Sequence, residues 1–294
     1  MKIFDGFTYL DEDLILDLRL NILDKYVDKF IIVESKYRHN GEIKNQNFDI
    51  KKFSKFKDKI KYVYLENEPE GIVQYKKDIS VHELVRNAYN RENFQRESIS
   101  LGLKDAHDND FILVSDIDEI PNLENLNFKD FNNSLVFFKQ RMFYYKLNLF
   151  YSNFIWHGSR GCFKKTFLSP QWLRNIKIRN YKWWRFDTML SKSKYNNIKF
   201  IENGGWHFTN IKKPKDIFKK FKTFLHHVDF DHSGLDLEAI KDNIKNRKVG
   251  YDHSADQRNK NKWESEVVLS KGDYSILPSY IKENKKQYAE WLEL

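Results

Sequence analysis

Residues 110–121, DFILVSDIDEIP, constrain this chain more than any other stretch. Four apolar residues, Phe111, Ile112, Leu113 and Val114, run into three carboxylates, Asp116, Asp118 and Glu119, and the segment stops at Pro121. An unbroken apolar run with polar flanks predicts a strand buried on both faces, as in a parallel sheet covered by helices. Side chains alternate along an extended backbone, which places Asp116 and Asp118 on one side. Adjacent carboxylates repel each other, and a hard divalent cation relieves that repulsion while seeking oxygen ligands. Open α/β sheets bind ligands at the carboxyl ends of such strands. The same residues also suit a turn or a helix cap, so the spacing alone leaves both readings open.

The flanking sequence repeats the theme. Residues 2–10 alternate as a first strand, and a helix starting at Asp11 or Glu12 carries Leu14, Ile15, Leu18, Leu20 and Ile22, with Arg19 among them. Residues 29–34 read as a second buried strand ending in an acid, and 37–49 as a polar loop with a turn at Asn40-Gly41. A short basic helix over 49–57, a strand over 61–65 and a long helix over 81–106 follow. In that helix Arg91 and Gln95 share a face, as do Glu92 and Arg96. Strands alternating with helices predict βαβ units, a mostly parallel sheet and an α/β class. Residues 1–121 thus read as a nucleotide-binding half.

Beyond Pro121 the pattern changes. Residues 135–151 form one aromatic-rich strand by their composition, followed by IWHGSRGCF, a Trp-rich piece and a strand over 197–202. GGWHF (204–208) precedes a basic amphipathic helix over 214–227, with further helices over 235–248 and 280–292. No repeat or low-complexity linker divides the chain, so 1–294 read as one unit whose second half, 122–294, takes the acceptor.

Several function classes fall away. No Walker or dinucleotide glycine loop and no nucleophile elbow is present, which removes support for NTPase, dehydrogenase and hydrolase readings. The net charge of +9 is spread along the chain rather than gathered on a recognisable module, so nucleic acid is not the expected partner. One cysteine, Cys162, excludes an internal disulfide and a multi-cysteine zinc site. No apolar run approaches the roughly 20 residues that span a bilayer. A cytoplasmic protein, with peripheral contact at the inner face of the membrane, is the expectation.

Other candidates are weaker individually. His207 in GGWHF offers an imidazole suited to a cation such as Mn2+, although a strand-end histidine also packs as an ordinary hydrogen-bonded residue. His226, His227 and His232 near Asp229 and Asp231 match no zinc spacing. Arg91, Gln95 and Arg96 could read a diphosphate, or simply pair with Glu92 and Glu97. Trp172, Trp183, Trp184 and Trp206 are core by default and sugar platforms if exposed.

Taken in order, FDGFTYLDEDLILDLRLNIL, FIIVES, ENFQRESISLGLKDA, FILVSDIDEIPN and GGWHF resemble glycosyltransferase family 17 over about residues 2–250. That is the bisecting β-1,4-N-acetylglucosaminyltransferase family with its bacterial and viral relatives. The resemblance implies a GT-A-type Rossmann-like fold, a nucleotide-sugar donor such as UDP-N-acetylglucosamine, and inversion at the anomeric carbon; the alternatives are the same fold with another nucleotide-sugar donor, or a non-catalytic glycan- or nucleotide-binding module. It implies Asp116 and Asp118 as ligands of Mn2+ or Mg2+, with His207 as a third ligand or phosphate contact. Asp5, Phe7, Thr8, Glu34, Ser35, Arg91, Gln95, Arg96 and Asp116 would line the donor. Glu202, then Glu119 and Asp187, are the candidate bases that deprotonate the acceptor hydroxyl. Animal members carry a membrane anchor and luminal stem that are not read here. The expected acceptor is therefore an anionic or lipid-linked bacterial or viral surface glycan, such as a polysaccharide or lipopolysaccharide.

Overall fold

The apolar runs form the strands they predict, and their order builds the site. The computed structural model describes residues 1–293 except 77, 133, 183, 186, 188–190, 254–262, 264 and 266. Strands β1 (Ile3–Tyr9), β2 (Lys29–Ser35) and β3 (Ile60–Leu65) lie parallel, with helix α1 (Asp13–Leu23) between the first two. Helix α2 (Val81–Glu97) leads to β4 (Phe111–Asp116), which joins the free edge of β1 in parallel. Phe30, Ile31, Ile32, Val33 and Phe111 to Val114 are all fully buried, as strands covered on both faces require.

The second half continues the same sheet. After β5 (Glu119–Pro121) come β6 (Leu135–Tyr144), β7 (Leu149–Phe163), helix α3 (Pro170–Asn175), β8 (Ile198–Ile201) and β9 (Gly205–Thr209). Helices α4 (Pro214–Thr223), α5 (His227–Ser233) and α6 (Leu237–Lys245), the short β10 (Ser270–Lys271) and α7 (Ser279–Glu283) complete the chain. The order is β3-β2-β1-β4-β7-β6-β9-β5, with β8 beside β6 and β10 beside β7. Parallel pairings (β1–β2, β2–β3, β1–β4, β6–β8, β6–β9) outnumber antiparallel ones (β4–β7, β6–β7, β5–β9, β7–β10). The expected α/β, mostly parallel, Rossmann-like architecture is what the chain adopts.

Several element boundaries differ from the sequence reading. The helix expected over 214–227 ends at Thr223 and a separate one starts at His227, and that expected over 49–57 is a 3-10 segment, Ile50–Phe56. The helix expected over 81–106 ends at Glu97 and continues as a 3-10 segment, Ser98–Leu103. That tighter path lays Gly102 on β2, where a Cβ would stand 2.4 Å from Ile31 Cγ2. Residues 135–151 are not one strand: the chain reverses after Tyr144, and Tyr145 takes φ 65° in the turn without a Gly or Pro to mark it. The helix expected over 280–292 is only α7 and a separate 3-10 turn, Ala289–Trp291. Among the described residues no helix is long and apolar enough to cross a membrane.

Candidate active site

The acidic stretch divides into two strands with a turn between them. β4 ends at Asp116, Asp118 lies in the turn, and β5 begins at Glu119. Arg19 explains why the turn holds its shape. It is fully buried on α1, and its Nη1 donates to the carbonyls of Asp116 (3.2 Å), Ile117 (3.2 Å) and Glu119 (2.7 Å). Its Nε and Nη2 meet both oxygens of Asp5 at 2.8 and 2.6 Å. Phe7 lies under the guanidinium, 4.6 Å from its ring centroid. An arginine among leucines is thus the scaffold of the acidic loop.

Asp116 faces two arginines, Arg96 Nη2 at 3.1 Å and Arg174 Nη2 at 3.0 Å, and keeps 36% of its side chain exposed. Burial alone would raise its pKa, but Arg174 and then Arg96 outweigh it and hold the carboxyl well below the usual range. Glu119 is different. It is fully buried, with Arg174 at 2.7 and 2.9 Å, the Trp156 indole donating at 2.7 Å and the Asp116 amide at 3.0 Å. Arg174 sits near the carboxyl end of α3, and Arg160 fixes that end by donating to the carbonyls of Leu173, Arg174 and Ile176. Burial, with the charge of Arg174 next, pushes Arg160 down to about 9.

Asp118 meets His207 through pairing that brings distant segments together. β9 lies between β6 and β5, and its register sets His207 opposite Glu119 and beside Met142. His207 Nε2 is 3.5 Å from one Asp118 oxygen, and Lys220 Nζ of α4 is 4.0 Å from the other. Burial opposes ionisation of Asp118, but the charges of His207 and Lys220 outweigh it and lower its pKa. His207 Nδ1 is buried without a hydrogen-bond partner, and the ring packs on Trp156 at 5.0 Å. The two glycines of GGWHF serve this crossing. A Cβ on Gly205 (φ 132°) would lie 2.2 Å from the Ile120 carbonyl oxygen, and one on Gly204 2.7 Å from that of Ile201.

Asp116 and Asp118 open on one cleft of about 270 Å³, at the carboxyl ends of β1, β2 and β4. Of the residues expected at a donor, Thr8, Ser35, Gln95 and Arg96 line it, joined by Arg38, Tyr37, Lys220 and Phe224. Gln95 is anchored by donating to the carbonyls of Val33 (2.9 Å) and Tyr9 (3.3 Å).

Other expected residues lie elsewhere. Asp5 and Phe7 are fully buried beneath the loop, in contact with Arg19. Glu34 is fully buried, taking Lys44, the amides of Asn47 (2.8 Å) and Phe48 (3.0 Å), and the Tyr62 hydroxyl (2.8 Å). Arg91 pairs with Glu68 at 2.6 Å and donates to the His39 carbonyl, bracing the 38–41 turn rather than lining the cleft. Of the three carboxylates taken as bases, Glu119 is sequestered by Arg174, while Glu202 (71% exposed, paired with Lys139 at 2.5 Å) and Asp187 (paired with Arg185 and Lys194) are outside the cleft lining.

Arg174, Arg160, Lys220 and Trp156 escaped the sequence reading because their roles are long-range contacts. Of the histidines after α4, His227 and His232 bond the backbone carbonyls of Phe224 and Val228, and no group of three His, Cys, Asp or Glu that could hold a metal occurs among the described residues. Trp172 and Trp206 are half-buried, donating to Tyr195 (3.0 Å) and the Ile276 carbonyl (2.7 Å). Trp184 is about half exposed, and Trp183 lies outside the described residues. Compared with known proteins, the chain matches the family model of glycosyltransferase family 17 over residues 1–292. No curated protein matches it.

Proposed function

The chain belongs to glycosyltransferase family 17 and is a glycosyltransferase; on that premise we propose a nucleotide-sugar donor, a divalent cation and inversion at the anomeric carbon. The observation that carries the reading is the convergence of Asp116, Asp118 and Arg96 in one cleft at the carboxyl ends of three parallel strands. Tyr37 and Phe224 offer apolar faces to a base, while Arg38, Arg96 and Lys220 offer positive charge to a diphosphate. The donor we assign is UDP-N-acetylglucosamine, in keeping with the family, and the product is a β-linked glycan.

The residues fit Mn2+ or Mg2+ in their chemistry. Asp116 and Asp118 present two hard carboxylates to one space, and the His207 ring, unpartnered at Nδ1, lies against Asp118. No group of three His, Cys, Asp or Glu that could hold a metal occurs among the described residues, so Asp116 and Asp118 would hold the cation and its other ligands would come from the donor or solvent. A bound cation supplies Lewis-acid stabilisation of the departing diphosphate. Arg96 and Lys220 add fixed positive charge where the leaving group gathers negative charge. The attacking hydroxyl loses its proton to a carboxylate as the new bond forms.

A thermal-shift and transfer screen of sugar nucleotides, with and without Mn2+, tests this. UDP-N-acetylglucosamine with Mn2+ raises the melting temperature and is turned over. A response to no sugar nucleotide overturns the reading.

A further inference from the structure

A second cavity, of about 370 Å³, lies across Glu12, Asp118 and Lys220 from the first, and these three residues line both. Its wall carries the partly exposed indole of Trp291, with Phe208 fully buried behind it, and its rim carries Asp11, Asp13 and Asp216. Three lysines reach it: Lys212 is 2.5 Å from Asp11, Lys213 is 3.4 Å from Glu290, and Lys220, on the shared wall, is 4.0 Å from Asp118. An aromatic face with a rim of hydrogen-bond acceptors suits the C–H face and hydroxyl groups of an uncharged sugar. Asp11, Glu12, Asp13, Asp118 and Asp216 outnumber Lys212, Lys213 and Lys220 in the lining, and this negative excess disfavours a carboxylate or phosphate.

We propose that this cavity binds the terminal, uncharged sugar of the acceptor, and that Glu12 is the base that takes its proton. Glu12 Oε2 accepts the Leu10 and Asp11 amides, both at 3.0 Å, which fixes the carboxylate. Oε1 faces Lys212 Nζ at 3.9 Å. The step balances: Glu12 takes the hydroxyl proton and the acceptor oxygen bonds to the anomeric carbon. The bond from that carbon to the diphosphate breaks, and its electron pair leaves with the nucleotide. The proposal rests on the donor reading of the first cleft and replaces an anionic acceptor with a neutral one.

The test uses methyl β-glucoside, methyl N-acetyl-β-glucosaminide and methyl β-glucuronide as probes. Binding is followed by saturation-transfer NMR with UDP and Mn2+ present, and UDP affinity is measured by calorimetry in the same samples. The neutral glycosides bind and the glucuronide does not. Trp291→Ala weakens glycoside binding at least tenfold and Trp291→Phe restores part of it, with UDP affinity unchanged. Asp216→Asn, at the exposed start of α4, weakens it about threefold and covers the case in which Trp291→Ala does not fold. Glu12→Gln keeps both ligands within twofold but cuts transfer about 100-fold or more, the contribution of a general base. The proposal is overturned if no glycoside binds, if the glucuronide binds as well as the neutral probes, or if Glu12→Gln transfers normally. Failure of UDP to bind the native protein instead removes the donor reading and with it the role of Glu12 as base, while glycoside binding still decides what the cavity holds.

Discussion

Arg174 grips Glu119 with two hydrogen bonds, at 2.7 and 2.9 Å, in a place where the carboxylate has no exposure to solvent. A charge pair of this kind is hard to break from one side, because the partner left behind stays buried and ionised. Arg174→Ala is expected to cost about 3–5 kcal/mol of stability, read from urea unfolding midpoints. A loss below about 1 kcal/mol would mean that water or another cation reaches Glu119 in its place.

Asp116 lies on the same guanidinium but is a third exposed, and removing its charge should separate function from stability. Asp116→Asn keeps the shape of the side chain but takes its charge from Arg96 and Arg174, so stability falls. The loss is smaller than for Arg174→Ala, because Asp116 is a third exposed, Arg96 keeps Glu92 and Arg174 keeps Glu119. The extra melting-temperature rise that Mn2+ gives with UDP should disappear, and transfer should fall at least 100-fold. Unchanged Mn2+-dependent turnover would remove Asp116 from the metal site.

Acidification should destabilise the protein well before its carboxylates titrate. Burial among Tyr144, Phe154, Trp156 and Tyr251 pushes His253 down to about 3, and burial also lowers His39. Below the ordinary histidine pKa of about 6.5 the unfolded chain takes up protons that the native histidine refuses, so stability falls as pH falls. His253 accounts for up to about 2 kcal/mol between pH 6.5 and 5. Asp116 and Asp118, with pKa values below the ordinary carboxylate range, contribute stability that is lost only beneath about pH 4. Unfolding measured across pH should show this early slope, and His253→Gln should flatten it.

Gly205 is a further point of rigidity. Alanine there combines a φ of 132° with a Cβ 2.2 Å from a backbone oxygen, and neither conflict can be relieved by turning a side chain. Gly205→Ala should cost about 3 kcal/mol or more, visible as a large drop in melting temperature, and should disturb His207 two residues on. Gly234→Ala is the control for a glycine with positive φ but open space around it, and it should cost about 1 kcal/mol.

What was legible in the sequence was what local pattern controls. The apolar runs before Asp116 and Glu34 gave β4 and β2, and the residues of DFILVSDIDEIP and GGWHF met as their joint presence suggested. Partnership was not legible. Asp5 and Glu34 looked like strand-end acids open to a ligand, but whether an acid is solvated or locked depends on Arg19 and Lys44, which only the fold supplies. Arg174 stands 58 residues beyond Asp116 on a six-residue helix with no pattern of its own. The reversal at Tyr145 was missed because a left-handed tyrosine leaves no mark in the sequence.

The Arg19 contacts bear on how tightly a donor can be held. Three carbonyls of the 116–119 turn are tied to one side chain rooted in α1, so the turn is ordered before anything binds. A flexible acidic loop would have to give up conformational entropy on each encounter, and affinity would fall by that amount. Here the ordering is completed once, during folding, and the turn meets its ligand as a preorganised surface.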